Sequence, residues 1–232
     1  MTRVSLFVTC VVDQLFPNVG MAIADVLERA GCEVEFREAQ TCCGQPAFNS
    51  GYRDEARAVA EHFLKTFEGA ENIVVASGSC CSMIGHHFAE LFPPGTPIPP
   101  VWEFSQFLTG VLKVEDVGAS FDGLVTYHDS CHALRELKIK EGPRTLLKNV
   151  RGLRFVEMEP REECCGFGGT FSVKFPEISG GMARTKIEAI ERTGASTVVS
   201  IDSSCLMQLQ GALSRAGSKI RTMHLAEVLA SR

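Results

Sequence analysis

The sequence predicts an α/β fold built from two tandem, pseudo-symmetric repeats, residues 1–118 and 119–232, each a small, mainly parallel sheet flanked by helices. Two observations carry this expectation. Short apolar runs alternate with stretches of helical periodicity, the pattern of crossover units that build parallel sheets. In addition, Cys10, Cys42, Cys43 and Cys80 recur as Cys131, Cys164, Cys165 and Cys205, at offsets between 121 and 125 residues. Several independent coincidences at nearly one offset are improbable, so the chain reads as a duplication.

The elements follow in order. In the first repeat, Val4–Val8, Glu33–Phe36, Ile73–Ala76 and Val101–Trp102 read as strands. The clearest helix is 53–67, where Ala56, Val59, Ala60, Phe63 and Phe67 fall at helical spacing. Gly31, after Val26 to Ala30, reads as a helix C-terminal stop. In the second repeat, Leu124–Tyr127, Leu153–Val156, Thr197–Ile201 and Lys219–Met223 read as strands. Helices are expected near 143–149, 178–193, 205–216 and 225–231, and the boundary between repeats within Val114–Asp122. The proline-rich run Pro93–Pro100 has no counterpart and reads as a stiff surface loop.

Composition narrows the function classes. The chain has 232 residues, 45% hydrophobic and 22% charged, with a net charge of −5, as in globular proteins. No run of Lys and Arg supplies the basic footprint of a nucleic-acid binder. The apolar run Val4–Val12 is too short for a signal peptide and is stopped by Asp13. No stretch reads as a membrane span. The expected compartment is cytoplasmic, where thiols stay reduced and repeated cysteine spacings suggest metal or redox chemistry rather than disulfides.

Eight of the ten cysteines belong to the repeated pattern. In the expected topology the lone cysteines sit where strands end and helices begin, the edge at which open parallel sheets bind ligands. Four converging thiolates per repeat suit an iron–sulfur cluster or a zinc ion. Adjacent cysteines diverge and no C-x2–4-C chelating pair is present, which favours iron. The glycine after each pair allows backbone N–H groups to approach a cluster. A structural zinc site and a metal-free vicinal dithiol centre remain alternatives. Cys32 and Cys81 lie outside the pattern and read as apolar packing residues.

His128, Asp129, His132 and Arg135 gather around Cys131, whereas the first repeat offers Val8, Thr9, Val11 and Gln14 in that region. This asymmetry makes His132 a candidate proton relay or tuning group, and Arg135 a candidate holder of a substrate carboxylate. A hydrogen-bonded loop around a metal site is the alternative. His224 and Trp102 are expected at equivalent places near the last strands, with His224 read as a satisfied surface or core histidine rather than a ligand. Gly166-Phe167-Gly168-Gly169 lacks the spacing of a dinucleotide-binding loop.

Thr41-Cys42-Cys43-Gly44-Gln45-Pro46-Ala47-Phe48-Asn49-Ser50-Gly51, Cys164 to Ser172, and Tyr127-His128-Asp129-Ser130-Cys131-His132 carry a resemblance to a known family. They resemble the CCG cysteine-rich domain proteins, which include a subunit of heterodisulfide reductase and the glycolate oxidase iron–sulfur subunit. The whole chain is most similar to the LutA/YkgE lactate-utilisation family. The resemblance implies a cytosolic electron-transfer subunit in the oxidation of L-lactate to pyruvate. Its implied partners are a ferredoxin-type iron–sulfur protein and a third small subunit. It also implies iron–sulfur binding, with Cys10, Cys42, Cys43 and Cys80 serving one cluster and Cys131, Cys164, Cys165 and Cys205 a second. The fullest family motif ends in Cys-x-x-Cys, but here Ser77 and Asp202 replace the first cysteine of that final pair. A [4Fe–4S] cluster in each repeat is therefore the simpler expectation, with Ser77 and Asp202 as extra oxygen donors. A thiol–disulfide catalyst like heterodisulfide reductase and a zinc-stabilised interaction module are the alternatives.

Overall fold

The computed structural model describes the whole chain, Met1–Arg232. It contains two four-stranded, all-parallel sheets of identical order. The first runs β2-β1-β3-β4, with β1 at Thr2–Phe7, β2 at Cys32–Phe36, β3 at Ile73–Val75 and β4 at Val101–Glu103. The second runs β6-β5-β7-β8, with β5 at Ser120–Tyr127, β6 at Arg151–Phe155, β7 at Thr197–Ser200 and β8 at Arg221–His224. The expected fold class and duplication are both present.

Alternation along the strands divides the interior into three cores. Successive strand residues point to opposite faces, so a strand buried on both faces feeds two cores at once. Val4 and Leu6 of β1 join Val125 and Tyr127 of β5 in one large cluster between the sheets. Helix Pro17–Arg29 adds Ile23, Val26 and Leu27, and helix Leu225–Ala230 adds Val228 and Leu229. The opposite face of the first sheet carries Phe7, Ile73 and Val75 against Phe63 and Phe67 of helix Arg53–Thr66 and its C-terminus. The opposite face of the second carries Val198 against Ile187 and Ile190 of helix Pro176–Arg192, and Leu209 and Leu213 of helix Ser203–Arg215. Cys32 and Cys81 are buried in these cores, as expected of packing residues.

The repeats meet about an approximate twofold axis, on which equivalent residues touch one another. Ser77 Oγ donates to Asp202 Oδ2 at 3.1 Å, and the Gly78 N–H donates to the Ile201 carbonyl at 3.3 Å. The backbones come so close that a Cβ at Gly78 would lie 2.9 Å from the Ala133 Cβ. Farther out, Arg29 donates to the Leu229 carbonyl at 2.6 Å and ties helix Pro17–Arg29 to the second repeat.

Three local expectations shift. β5 starts at Ser120, inside the segment read as a connection between repeats, because its first residues pair with the start of β6 across an irregular register. Four short helices escape the periodicity reading: Cys10–Leu15, Gln45–Asn49, Cys131–Arg135 and Thr170–Lys174. Six residues or fewer are too short to show a 3.6-residue repeat. Finally, His224 corresponds to Glu103, not Trp102. Each ends the last strand of its sheet and caps the helix that follows, Glu103 by accepting from the Ser105 N–H at 2.8 Å and His224 Nδ1 from the Ala226 N–H at 3.1 Å.

Candidate metal centre

The eight repeated cysteines line a single cleft between the two repeats. Cys10 and Cys131 open the short helices that follow β1 and β5. Cys80 and Cys205 lie in the first turns of the helices that follow β3 and β7. The Cys42-Cys43 and Cys164-Cys165 pairs sit on loops that reach the same place. All eight therefore gather beyond the carboxyl edges of the two parallel sheets, where such sheets bind ligands. A row of four sulfurs forms in each repeat. In the first, Cys10 and Cys42 Sγ are 3.5 Å apart, and Cys43 and Cys80 Sγ are 3.0 Å apart.

The glycine of each Cys-Cys-Gly has a specific task. Gly44 (φ 80°) and Gly166 (φ 81°) adopt the left-handed conformation, which costs glycine little. This turns the Gly44 N–H onto Cys42 Sγ and the Gly166 N–H onto Cys164 Sγ, each at 3.4 Å. Any larger residue at 166 would also drive its Cβ to 2.6 Å from the Ser179 carbonyl oxygen. Cys42 is held well below the ordinary thiol pKa, first by the Cys10 thiol and then by Cys43, with the Gly44 N–H adding to both. Cys164 is lowered in the same way by Cys131, Cys165 and the Gly166 N–H. Cys43 and Cys165 are pushed up by their thiol neighbours and by burial. Thr9, directly before Cys10, is buried at φ 72°, a strained position for a β-branched residue beside a sulfur set.

The donor chemistry fits a thiolate-bound metal or iron–sulfur group. The sulfur separations exceed the roughly 2.05 Å of a disulfide. The cleft lining contains no Lys or Arg to balance several thiolates. Partly buried charge needs a partner, and a metal cation is the one this donor set selects.

Ser77 and Asp202 line the cleft and bind each other across the repeat axis. Asp202 Oδ2 also accepts from the Ser79 N–H at 2.9 Å, while Oδ1 accepts from the Ser204 N–H at 3.2 Å and from the Ser204 hydroxyl. Burial alone would raise the Asp202 pKa, but the donors from Ser204, Ser79 and Ser77 outweigh it and hold it low. This carboxylate joins the repeats and caps a helix.

The polar group around Cys131 separates into four parts. His132 Nδ1 lies 3.6 Å from Cys131 Sγ, at the cleft. Arg135 is exposed and donates to the Glu162 carbonyl at 3.4 Å, outside the cleft lining. Asp129 is buried in a bidentate pair with Arg144, at 2.9 and 2.7 Å, and Arg144 also binds Glu157 at 2.7 and 2.9 Å. The arginine that matters for the local architecture is thus Arg144, which shows nothing distinctive in sequence. His128 is fully buried with neither ring nitrogen hydrogen-bonded, and burial first, then Lys186, pulls its pKa down to about 3.

Comparison with known proteins accords with this arrangement. The family described as CCG, Cysteine-rich domain, matches residues 4–85 and 125–210, one segment in each repeat. A Lactate utilization protein A from Bacillus cytotoxicus is 48% identical over 242 residues, covering 99% of each chain. One from a Geobacillus species is 48% identical over 238 residues, covering 99% of this chain and all of its own. Among solved structures, a putative Asp/Glu racemase from Yersinia pestis aligns with 99% of this chain and 96% of its own, at 12% identity and a TM-score of 0.39, a distant likeness.

Proposed function

The chain belongs to the CCG cysteine-rich domain family, and from that premise we propose that it is the iron–sulfur electron-transfer subunit of a cytoplasmic system that oxidises L-lactate to pyruvate. The observation that carries the proposal is the pair of matched four-sulfur rows lining one cleft. In this reading Cys10, Cys42, Cys43 and Cys80 would hold one [4Fe–4S] cluster. Cys131, Cys164, Cys165 and Cys205 would hold the other, with the repeats dividing at 118/119. Clusters of this kind supply one-electron carriage at a potential set by burial and by hydrogen bonds to sulfur. The chain contributes the remaining features. Gly44 and Gly166 aim N–H groups at Cys42 and Cys164. The Ser77–Asp202 contact fixes the two cleft walls relative to each other. His132, whose Nδ1 lies 3.6 Å from Cys131 Sγ, would hold or pass a proton. The lactate assignment follows the name of the relatives that match end to end. No helix is long and apolar enough to cross a membrane.

Lactate oxidation releases two electrons and two protons, and the sequence carries no flavin or nicotinamide motif. Partner subunits, a ferredoxin-type iron–sulfur protein and a third small subunit, would complete the reaction. Arg135, on the surface, is better placed for such a partner than for a substrate in the cleft. One observation favours a second reading, a thiol–disulfide catalyst. The cleft opens to solvent beside half-exposed Cys10, Cys42, Cys80, Cys131 and Cys164. Anaerobic purification followed by iron, acid-labile sulfide and zinc analysis, with electron paramagnetic resonance after reduction, tests the proposal. Iron and sulfide with a reduced-cluster signal are expected, and zinc alone would sink it. Heterodisulfide turnover without any response to the lactate partners would favour the second reading.

A further inference from the structure

The strand alternation assigns His128 a position that the sequence alone conceals. Tyr127 faces the shared core, so the next residue must face the second repeat's own side. In the first repeat the residue after Leu6 is Phe7, equally three positions before its cysteine, and it packs edge-on against Phe63 at 5.1 Å and Phe67 at 5.6 Å. His128 occupies the corresponding place but finds no aromatic partner. One of its ring nitrogens instead lies with Cys165 Sγ and Cys205 Sγ in a buried triad whose donor atoms are all within 4.8 Å of one another. Neither nitrogen has a hydrogen-bond partner. The nearby cation, Lys186, already donates to the Arg161 carbonyl at 2.6 Å. Leaving a buried polar group unpaired is costly, and a bond from one ring nitrogen to a metal would relieve that cost here.

We propose that His128 is a metal ligand of the second repeat, joining Cys165 and Cys205 in a mixed nitrogen–sulfur donor set, whereas the first repeat's set is all sulfur. The inference rests on the metal-centre reading above and makes the two centres chemically unequal.

The test is pulsed electron paramagnetic resonance of the reduced, anaerobically purified full chain, at natural abundance and with 15N-labelled histidine. A nitrogen coupling of the strength of a directly bonded imidazole is expected, and it should change to the 15N pattern on labelling. His128→Phe, which installs the residue of the first repeat, should abolish this coupling. His132→Phe should leave it intact. His128→Cys, which restores a ligand, should keep full iron but show no nitrogen coupling, so a loss of coupling cannot be ascribed to misfolding. Iron and sulfide without histidine coupling in the wild type, or coupling that survives His128→Phe, would overturn this inference and leave the electron-transfer reading standing. Absence of iron and sulfide would overturn both.

Discussion

Three residues before its first cysteine, one repeat places Phe7 in an aromatic stack, and the other places His128 against two cysteine sulfurs. One position later the first repeat has Val8 in the shared core, while the second has Asp129 locked to Arg144. Three residues before the last cysteine, Ser77 faces Asp202. The sulfur rows and the glycine turns agree between repeats, and the surroundings do not. Duplication preserved what four thiolates need in order to converge. The flanking positions, free of that geometric demand, diverged into an apolar wall on one side and a polar wall on the other. A single chain thereby presents two like sulfur rows in unlike surroundings.

The largest effect should come from the sulfurs. Cys43→Ser and Cys165→Ser should each remove about half of the bound iron while circular dichroism stays native; unequal losses would break the equivalence of the rows, and no loss in either would break the ligand assignment. Next comes the polar wall found only in the second repeat. Arg144→Met leaves Asp129 buried without its partner and should cost about 3–5 kcal/mol in urea unfolding. Combining it with Asp129→Val, the residue type of the first repeat, should recover much of that loss. A double variant as unstable as the single would show that the pair is doing more than neutralising itself.

The axis between the repeats is tested by Gly78→Val. Its side chain would overlap Ala133 of the other repeat, and overpacking of this kind costs about 1–3 kcal/mol. Gly211→Ala, in an open helical position, should instead gain about 0.5–1 kcal/mol. Similar losses in both variants would mean the repeats do not pack as described.

The smallest contrast lies at the paired helix caps, Glu103 and His224. Burial raises Glu103 to about 7 from the ordinary 4.5, against the hydrogen bonds from Ser105 and Gln106. Between those values the folded chain binds the proton more tightly than the unfolded chain does, so this residue's contribution to stability falls as pH rises from about 4.5 to 7 and is level above. His224, lowered to about 4 by burial, has the opposite slope, gaining stability as pH rises from 4 to its ordinary 6.5. Denaturation of wild type and Glu103→Gln across pH 4 to 8 should show the variant gaining relative stability up to pH 7. A constant difference would exclude Glu103 as the titrating group.

Much of this was legible in the sequence. Strand and helix periods, the cysteine offset and the two packing cysteines rest on local patterns or simple counting, and they recur in the structure. The short cysteine-bearing helices did not show, because one turn carries no period. Arg144 did not show either, since its partners Asp129 and Glu157 lie 15 and 13 residues away, at spacings fixed by the fold rather than by a helix or strand repeat. Arg135 drew notice by its nearness in sequence to Cys131, yet its side chain points to the surface.

The sequence by itself determined the duplication, the parallel α/β architecture and the residues able to supply thiolates, because side-chain period and residue chemistry are properties of short segments. Only the tertiary structure decided that both sulfur rows open onto one cleft, that Ser77 and Asp202 meet on the axis between repeats, and that His128 turns toward Cys165 and Cys205. These depend on how two units related by some 120 residues of chain pack together through the helices between their sheets. That packing is set by a shared hydrophobic core whose partners no local pattern names.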